Sequence, residues 1–245
     1  MSFKIELDDI DIFKSCFDAV SNIVDEVTIH IDTDGVRLKA INRGHTLFVK
    51  MNLKRSLFTE FACDEPTFIS IDTVELMKVL KRGKGKDKLS LSLSDDNCNL
   101  IVALGGIYER VFNIRLIDVD YETPTLPEMD YTAHVDMRTD LFKERMGDVE
   151  LYSKNVYFTV KDDVFTVSTD GDFGGFKSEY SGVDVNGNGK SKYSLVKINE
   201  MLKASKLSES TIINFGNDIP LKVDFNLLGD DGGISFLLAP MLEED

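Results

Sequence analysis

Apolar residues recur at helical spacing in four stretches of this chain and run or alternate as strands between them. Phe13, Cys16, Phe17, Val20 and Val24 share one helical face, which leaves Lys14, Ser15, Asp18 and Ser21 outward. A second helix is predicted to open at Asp72 with Glu75 three residues on, the Asp-x-x-Glu variant of a capping box, and to bury Leu76, Met77 and Leu80. Phe142, Met146 and Val149 mark a third, and Ile198, Met201 and Leu202 a fourth. Strands are predicted at Thr28–Ile31, Val36–Ala40, Leu47–Leu53, Leu89–Leu93, Leu100–Leu104 and Val111–Ile117. The second half adds Tyr157–Val160, Val164–Ser168, Phe176–Ser181, Thr211–Phe215, Leu221–Leu227 and Ile234–Leu238. Each half thus reads as two helices and roughly eight strands, an α+β layout with helices on one face of antiparallel sheets.

The two halves also repeat each other. Asp11-Ile12-Phe13-Lys14 returns as Asp140-Leu141-Phe142-Lys143, and the same offset carries Val27, Ile29, Ile31, Asp34 and Leu38 onto Val156, Phe158, Val160, Asp163 and Val167. Glu75-Leu76-Met77-Lys78 returns as Glu200-Met201-Leu202-Lys203. Composition alone does not repeat helix and strand in the same order, so a duplicated domain with pseudo-symmetry is expected. The stretch from Asp118 to Asp130 holds two prolines and five acidic residues, which suit neither a helix nor a central strand. The expected division is therefore an N-terminal domain over 1–117, a connector over 118–130 and a C-terminal domain over 131–245.

Composition narrows the possibilities. With 42% apolar residues each half can bury a core, and no apolar run approaches the ~18 residues of a membrane span. The N-terminus has no signal-peptide profile, so an intracellular protein that works without a membrane is expected. Cys16, Cys63 and Cys98 are odd in number and set in or beside apolar stretches, which reads as buried, reduced thiols. A net charge of −15 argues against a surface that coats nucleic acid all over, but not against a local basic face. Such a face is visible: Lys78, Lys81, Arg82, Lys84, Lys86 and Lys88 stand against only Asp72, Glu75 and Asp87. Each helix carries a cation on its polar side, among them Lys14, Lys143 with Arg145, and Lys203 with Lys206.

No catalytic set emerges. Asn186-Gly187-Asn188-Gly189-Lys190-Ser191 ends like a phosphate-binding loop, but Asp184 holds the first glycine position. Lys192–Val196 reads as a strand, so a glycine-rich hairpin loop is expected there. The same stretch imitates a calcium loop but has Leu195 where a bidentate Glu belongs. Asp170-Gly171-Asp172-Phe173-Gly174 reads as a turn, and His30, His45 and His134 have no partner at ligand or triad spacing. Asp32, Asp34, Asp230 and Asp231 fall at turns, where Asp is common for conformational reasons. Neither a metal nor a cofactor is implied.

Motifs spread over the whole chain resemble the sliding clamps of archaea and eukaryotes, the proliferating cell nuclear antigen family. They are Ala40-Ile41-Asn42-Arg43-Gly44-His45, Asn217-Asp218-Ile219-Pro220-Leu221, the connector Leu126-Pro127-Glu128, and Leu238-Ala239-Pro240 followed by acids. Asn42 to Thr46 departs from the usual cellular sequence, a departure compatible with a viral source. The resemblance implies a ring, in most members a homotrimer, that encircles double-stranded DNA without reading its sequence and serves as a processivity factor with no catalytic activity. Lys14, Lys78, Lys81, Arg82, Lys84, Lys143 and Lys203 occupy its DNA-lining positions. Ile41, His45, Leu126, Pro127, Pro220, Leu237, Ala239 and Pro240 occupy those of a groove for client peptides. The implied partners are a DNA polymerase, an ATP-dependent clamp loader, and nuclease and ligase clients. Subunits would join through Glu109–Ile117 of one copy and Gly175–Val183 of the next. One subunit of a heterotrimeric or checkpoint clamp is the alternative within the family, and a magnesium-dependent nuclease using Asp32 or Asp34 the alternative outside it.

Overall fold

The computed structural model describes residues 3–85, 87–106, 108–119, 123–125, 128–180, 184–227 and 231–242. The chain divides into unit 1, Met1–Ile41 with Val49–Pro124 and Leu227–Ile234, and unit 2, Asn42–Phe48 with Thr125–Asn226 and Ser235–Asp245. None of the described residues between 116 and 132 lies in a helix or strand.

Unit 1 begins with β1 (Phe3–Leu7) and α1 (Ile10–Ser21), followed by β2 (Glu26–Asp32) and β3 (Gly35–Ile41). Then come β4 (Leu47–Lys54, counted here from Val49), β5 (Glu60–Cys63), β6 (Thr67–Asp72) and α2 (Thr73–Leu80), and last β7 (Lys88–Leu93), β8 (Asn99–Gly105) and β9 (Arg110–Arg115). The strands order as β5-β1-β7-β8-β9 and β4-β3-β2-β6. Both helices start where the sequence supplies a cap: Asp9 accepts from Asp11 N at 2.8 Å, and Asp72 accepts from Val74 N at 2.8 Å and Glu75 N at 3.0 Å. The capping box is only half built, because the Glu75 carboxylate turns to Lys78 at 2.5 Å. Helix α1 buries Ile10, Phe13, Cys16, Phe17 and Val20, but stops at Ser21 before Val24.

Unit 2 repeats the plan. It holds β10 (Ala133–Arg138), α3 (Thr139–Glu150), β11 (Asn155–Lys161), β12 (Val164–Gly171) and β13 (Gly174–Tyr180). It continues with β14 (Asp184–Gly187), β15 (Gly189–Ser194), α4 (Leu195–Met201), a 3-10 segment (Leu202–Leu207), β16 (Ser210–Phe215), β17 (Leu221–Asn226) and β18 (Gly232–Leu238, counted here from Ser235). Its strand orders, β14-β10-β16-β17-β18 and β13-β12-β11-β15, match those of unit 1 strand for strand. This is the duplication expected from the sequence, with antiparallel ladders throughout the registers of each unit. The unit 2 core centres on Phe158, whose ring meets Phe165 at 5.5 Å, Tyr193 at 5.7 Å, Phe142 at 6.0 Å and Phe215 at 6.1 Å. One ring thereby ties α3 to four strands.

Three expectations need correction. Lys192–Val196 is not a strand: β15 ends at Ser194, and Leu195 and Val196 open α4. The preceding glycines do not form a hairpin, because β14 pairs with β10 while β15 pairs with β11, so the chain changes sheets there. Gly187 makes that crossing at φ +86°, where an added Cβ would lie 2.0 Å from the Thr132 carbonyl oxygen. Only Cys16 is buried, with its thiol pushed up to about 12 by desolvation; Cys63 is partly exposed and Cys98 exposed.

Candidate nucleic-acid interface and partner groove

In unit 1 the polar face of α1 presents Lys14, half-exposed and 3.6 Å from Asp11. Helix α2 presents Lys78 and, from its C-cap onward, Lys81, Arg82 and Lys84, all exposed. Hydrogen bonding to Glu75 raises the Lys78 ammonium further above its ordinary range, so this charge is already partly compensated. The basic loop after α2 is pinned from β9: the Arg110 guanidinium donates to Asp87 Oδ2 at 2.6 Å and to the Arg82 carbonyl at 2.9 Å. Lys86 lies outside the described residues.

In unit 2, Lys143 on α3 and Lys203 on the 3-10 segment are exposed. Lys143 borders a polar cavity of ≈ 560 Å³ lined also by Arg138, Asp140, Ser205, Ser208 and Glu209. Among the described residues, Lys81, Arg82, Lys84, Lys143 and Lys203 enter no ion pair, which leaves their charge available to an external anion. Arg145 differs: it is half-buried, held by Asp148 at 2.5 Å and Glu144 at 3.1 Å. Asp32 and Asp34, the metal candidates of the nuclease alternative, instead face Arg37.

Of the residues expected to receive client peptides, those of unit 2 come together in part. The turn Asn42–Leu47 is self-supporting, since Asn42 Oδ1 accepts from Thr46 N at 2.9 Å and Leu47 N at 3.0 Å. His45 stands exposed on it at φ 51°. Ala239 N donates to the Thr46 carbonyl at 2.8 Å, which brings the segment Leu237–Pro240 beside His45. Leu237, Ala239 and Pro240 are all half-buried, with the buried Leu238 between them. Pro220 is also half-buried, on a loop held by the Tyr193 hydroxyl donating to the Ile219 carbonyl at 3.0 Å. Ile41 ends β3 and is half-buried in unit 1; Leu126 and Pro127 lie outside the described residues.

Several neighbours escaped sequence reasoning. Met241 N donates to the Lys192 carbonyl at 2.8 Å, and Met241 and Leu242 are exposed beyond it. Lys190 and Lys192 both lie over the Tyr157 ring, at 5.3 and 5.2 Å. Alternation along β15 places both lysines on one face, but only the β11 pairing puts Tyr157 beneath them.

Two of the edge strands among the described residues are relevant to assembly. Strand β9 closes a sheet in unit 1, with Val111 exposed, and β13 closes one in unit 2, with Lys177 and Glu179 exposed.

Twofold repetition of a helix-backed antiparallel unit, with cations on the helices and open strands at the edges, defines a duplicated clamp domain. The model of the family described as "Proliferating cell nuclear antigen, N-terminal domain" matches residues 2–123. The chain is 46% identical over 244 residues to the DNA polymerase sliding clamp of Methanothermobacter thermautotrophicus, covering 99% of each chain. It is 30% identical to DNA polymerase sliding clamp 1 of Thermococcus kodakarensis, covering all of both. A crystal structure of PCNA from Thermococcus kodakaraensis superposes with a TM-score of 0.91 at 25% identity, covering 98% of this chain and 100% of that one. The chain belongs to the proliferating cell nuclear antigen family of sliding clamps.

Proposed function

We infer that this protein is a DNA polymerase processivity factor that encircles duplex DNA as a ring, slides along it and tethers replication proteins. What carries the reading is near-complete coverage at 46% identity by a relative named a DNA polymerase sliding clamp. The charge distribution supports it. An acidic protein with cations on its helices and in the segments just after them draws phosphates to that face and repels them elsewhere. Phosphate contacts carry no base information, which is what a sliding contact requires.

In this reading Lys14, Lys78, Lys81, Arg82, Lys84, Lys143 and Lys203 meet the DNA backbone. Ile41, His45, Leu126, Pro127, Pro220, Leu237, Ala239 and Pro240 receive client peptides from polymerase, nuclease and ligase. Residues 118–130 serve as the connector between the domains 1–117 and 131–245. The protein performs no catalysis, works inside the cell, and depends on an ATP-driven loader to open the ring. Three copies close it through β9 of one and β13 of the next.

The test is retention on circular DNA. After loading, the protein should stay on nicked circles and leave when the DNA is linearised, because topology holds it. Equal loss from circles and linear DNA would refute the encircling function. Light scattering coupled to gel filtration should give about three times 27.5 kDa. A chain that stays monomeric alone would instead be a hetero-subunit.

A further inference from the structure

Two apolar features at the unit edges take no part in holding DNA or client peptides. In unit 1 the residues after β9 run beside β6, where Ile117 N donates to the Ser70 carbonyl at 2.9 Å. Beside them lies a cavity of ≈ 710 Å³ lined in part by Phe68, Cys98, Arg115, Leu116, Ile117 and Val119. Leu116, Ile117 and Val119 are only half-buried, and Phe68 is 61% exposed although it stacks on His30 at 4.4 Å. In unit 2, Phe173 in the β12–β13 turn is 101% exposed. A single exposed aromatic or a single pocket is ordinary. The duplication relates the two.

Ser70 lies three residues before the first residue of α2, and Lys192 three before the first of α4. Ile117 N to Ser70 O in unit 1 therefore repeats as Met241 N to Lys192 O in unit 2. By that alignment Arg115 is the counterpart of Ala239. Thr46 immediately precedes β4 and Phe173 immediately precedes β13, the matching strand of the other unit. Within unit 2 the Ala239 N–H donates to the Thr46 carbonyl. Carried to the open edges, that bond becomes one from Arg115 N of one copy to the Phe173 carbonyl of the next. The Arg115 N–H is suitably aimed. Leu116 N donates inward to the Cys98 carbonyl, so the preceding residue's N–H points away from β8, to the open side.

We propose that Phe173 of one copy seats on the Arg115–Val119 pocket of the next and sets the register of the subunit junction. The occupant fits chemically. Leu116, Ile117 and Val119 gain an apolar cover, and the Arg115 guanidinium gains an aromatic face. A plug at one end of the strand pair also excludes a slip by two residues, which backbone hydrogen bonds alone would tolerate. The inference rests on the ring reading of the proposed function.

The chain contains no tryptophan, so Phe173→Trp supplies a single fluorescent reporter at an exposed site whose substitution leaves the fold intact. In full-length protein of trimer mass, emission from the introduced indole should move to the blue and resist acrylamide quenching, and dilution to monomer should reverse both. Phe173→Asp should raise the concentration of half-dissociation by roughly thirtyfold. A water-exposed indole in a Phe173→Trp particle of trimer mass overturns the inference and leaves the ring standing, as does Phe173→Asp assembling like the parent. A chain that never trimerises overturns both the inference and the homotrimeric form of the ring.

Discussion

Arg110 and Asp87 are joined at 2.6 Å across the end of α2, one on the edge strand β9 and the other on the basic loop that carries Arg82 and Lys84. The edge proposed to bind a second subunit is thus mechanically tied to the loop proposed to meet DNA. Removing Arg110 leaves Asp87, whose side chain is only 15% exposed, without its cation. Arg110→Ala should cost about 1 kcal/mol, after discounting for the guanidinium's own exposure. It should also weaken trimer formation and DNA retention together. Denaturant melts and gel filtration check this; loss of one property alone would uncouple loop from edge.

Lys78 and Lys81 are exposed, and their removal should leave stability within ~0.5 kcal/mol. Lys78→Ala with Lys81→Ala should nevertheless lower clamp-dependent DNA synthesis, more steeply at higher salt where the remaining phosphate contacts are screened. Normal processivity at physiological salt after neutralising Lys14, Lys78, Lys81 and Lys203 together would remove these residues from the DNA-facing set.

Client binding tests the groove. Leu126→Ala with Ile41→Ala should leave the oligomer intact and cost on the order of 2 kcal/mol, roughly thirtyfold in affinity for a client-tail peptide. Calorimetry reads this directly. Unchanged affinity would place the peptide elsewhere.

Acid should weaken unit 1 through Glu6. Its carboxyl is held below the usual range chiefly by a hydrogen bond from Lys88, then by Lys4, against an opposing effect of burial. A carboxyl lowered in the folded state stabilises fully above its ordinary value of 4.5, and that stabilisation disappears as pH falls through the lowered folded value. Glu6→Gln should therefore be less stable than the parent at neutral pH and lose less between about pH 4 and the acid transition. Thermal melts across that window decide; parallel curves would show that Glu6 is not linked to folding.

Gly187 should tolerate no side chain. At φ +86° with the Thr132 carbonyl 2.0 Å from a would-be Cβ, Gly187→Ala forces the β14–β15 crossing to move, at a cost above about 2 kcal/mol. A melting curve like the parent's would mean that the crossing is not constrained as described.

Much of this architecture is legible because it follows from local periodicity. The helical faces of α1, α2 and α3 and the alternation along β7, β8, β11 and β12 need only neighbouring residues to declare themselves. Strands β1 and β10 carry the same alternation, although neither is among the strands predicted above. Leu195-Val196 misleads because a short apolar run fits a strand or a helix equally well, and only the end of the β11–β15 ladder at Ser194 decides.

Reading along the chain suffices for the duplication, the helix-on-sheet class, the acidic balance and the cations on the helical faces, since each is a property of order and composition. Ion pairs between distant positions are a matter of tertiary structure. It joins Arg110 on β9 to Asp87 on the basic loop, and Glu6 on β1 to Lys88 on β7, whereas Glu75–Lys78 and Arg145–Asp148 are local pairs three residues apart on one helix. It also makes strands of Glu60–Cys63 and Asp184–Gly187, which have no strand signal of their own and exist because β1 and β10 offer them an edge. The bond from Ala239 to Thr46 is of the same kind. Hydrogen bonds between distant segments depend on where the core places their backbones, and no local pattern of side chains encodes that placement.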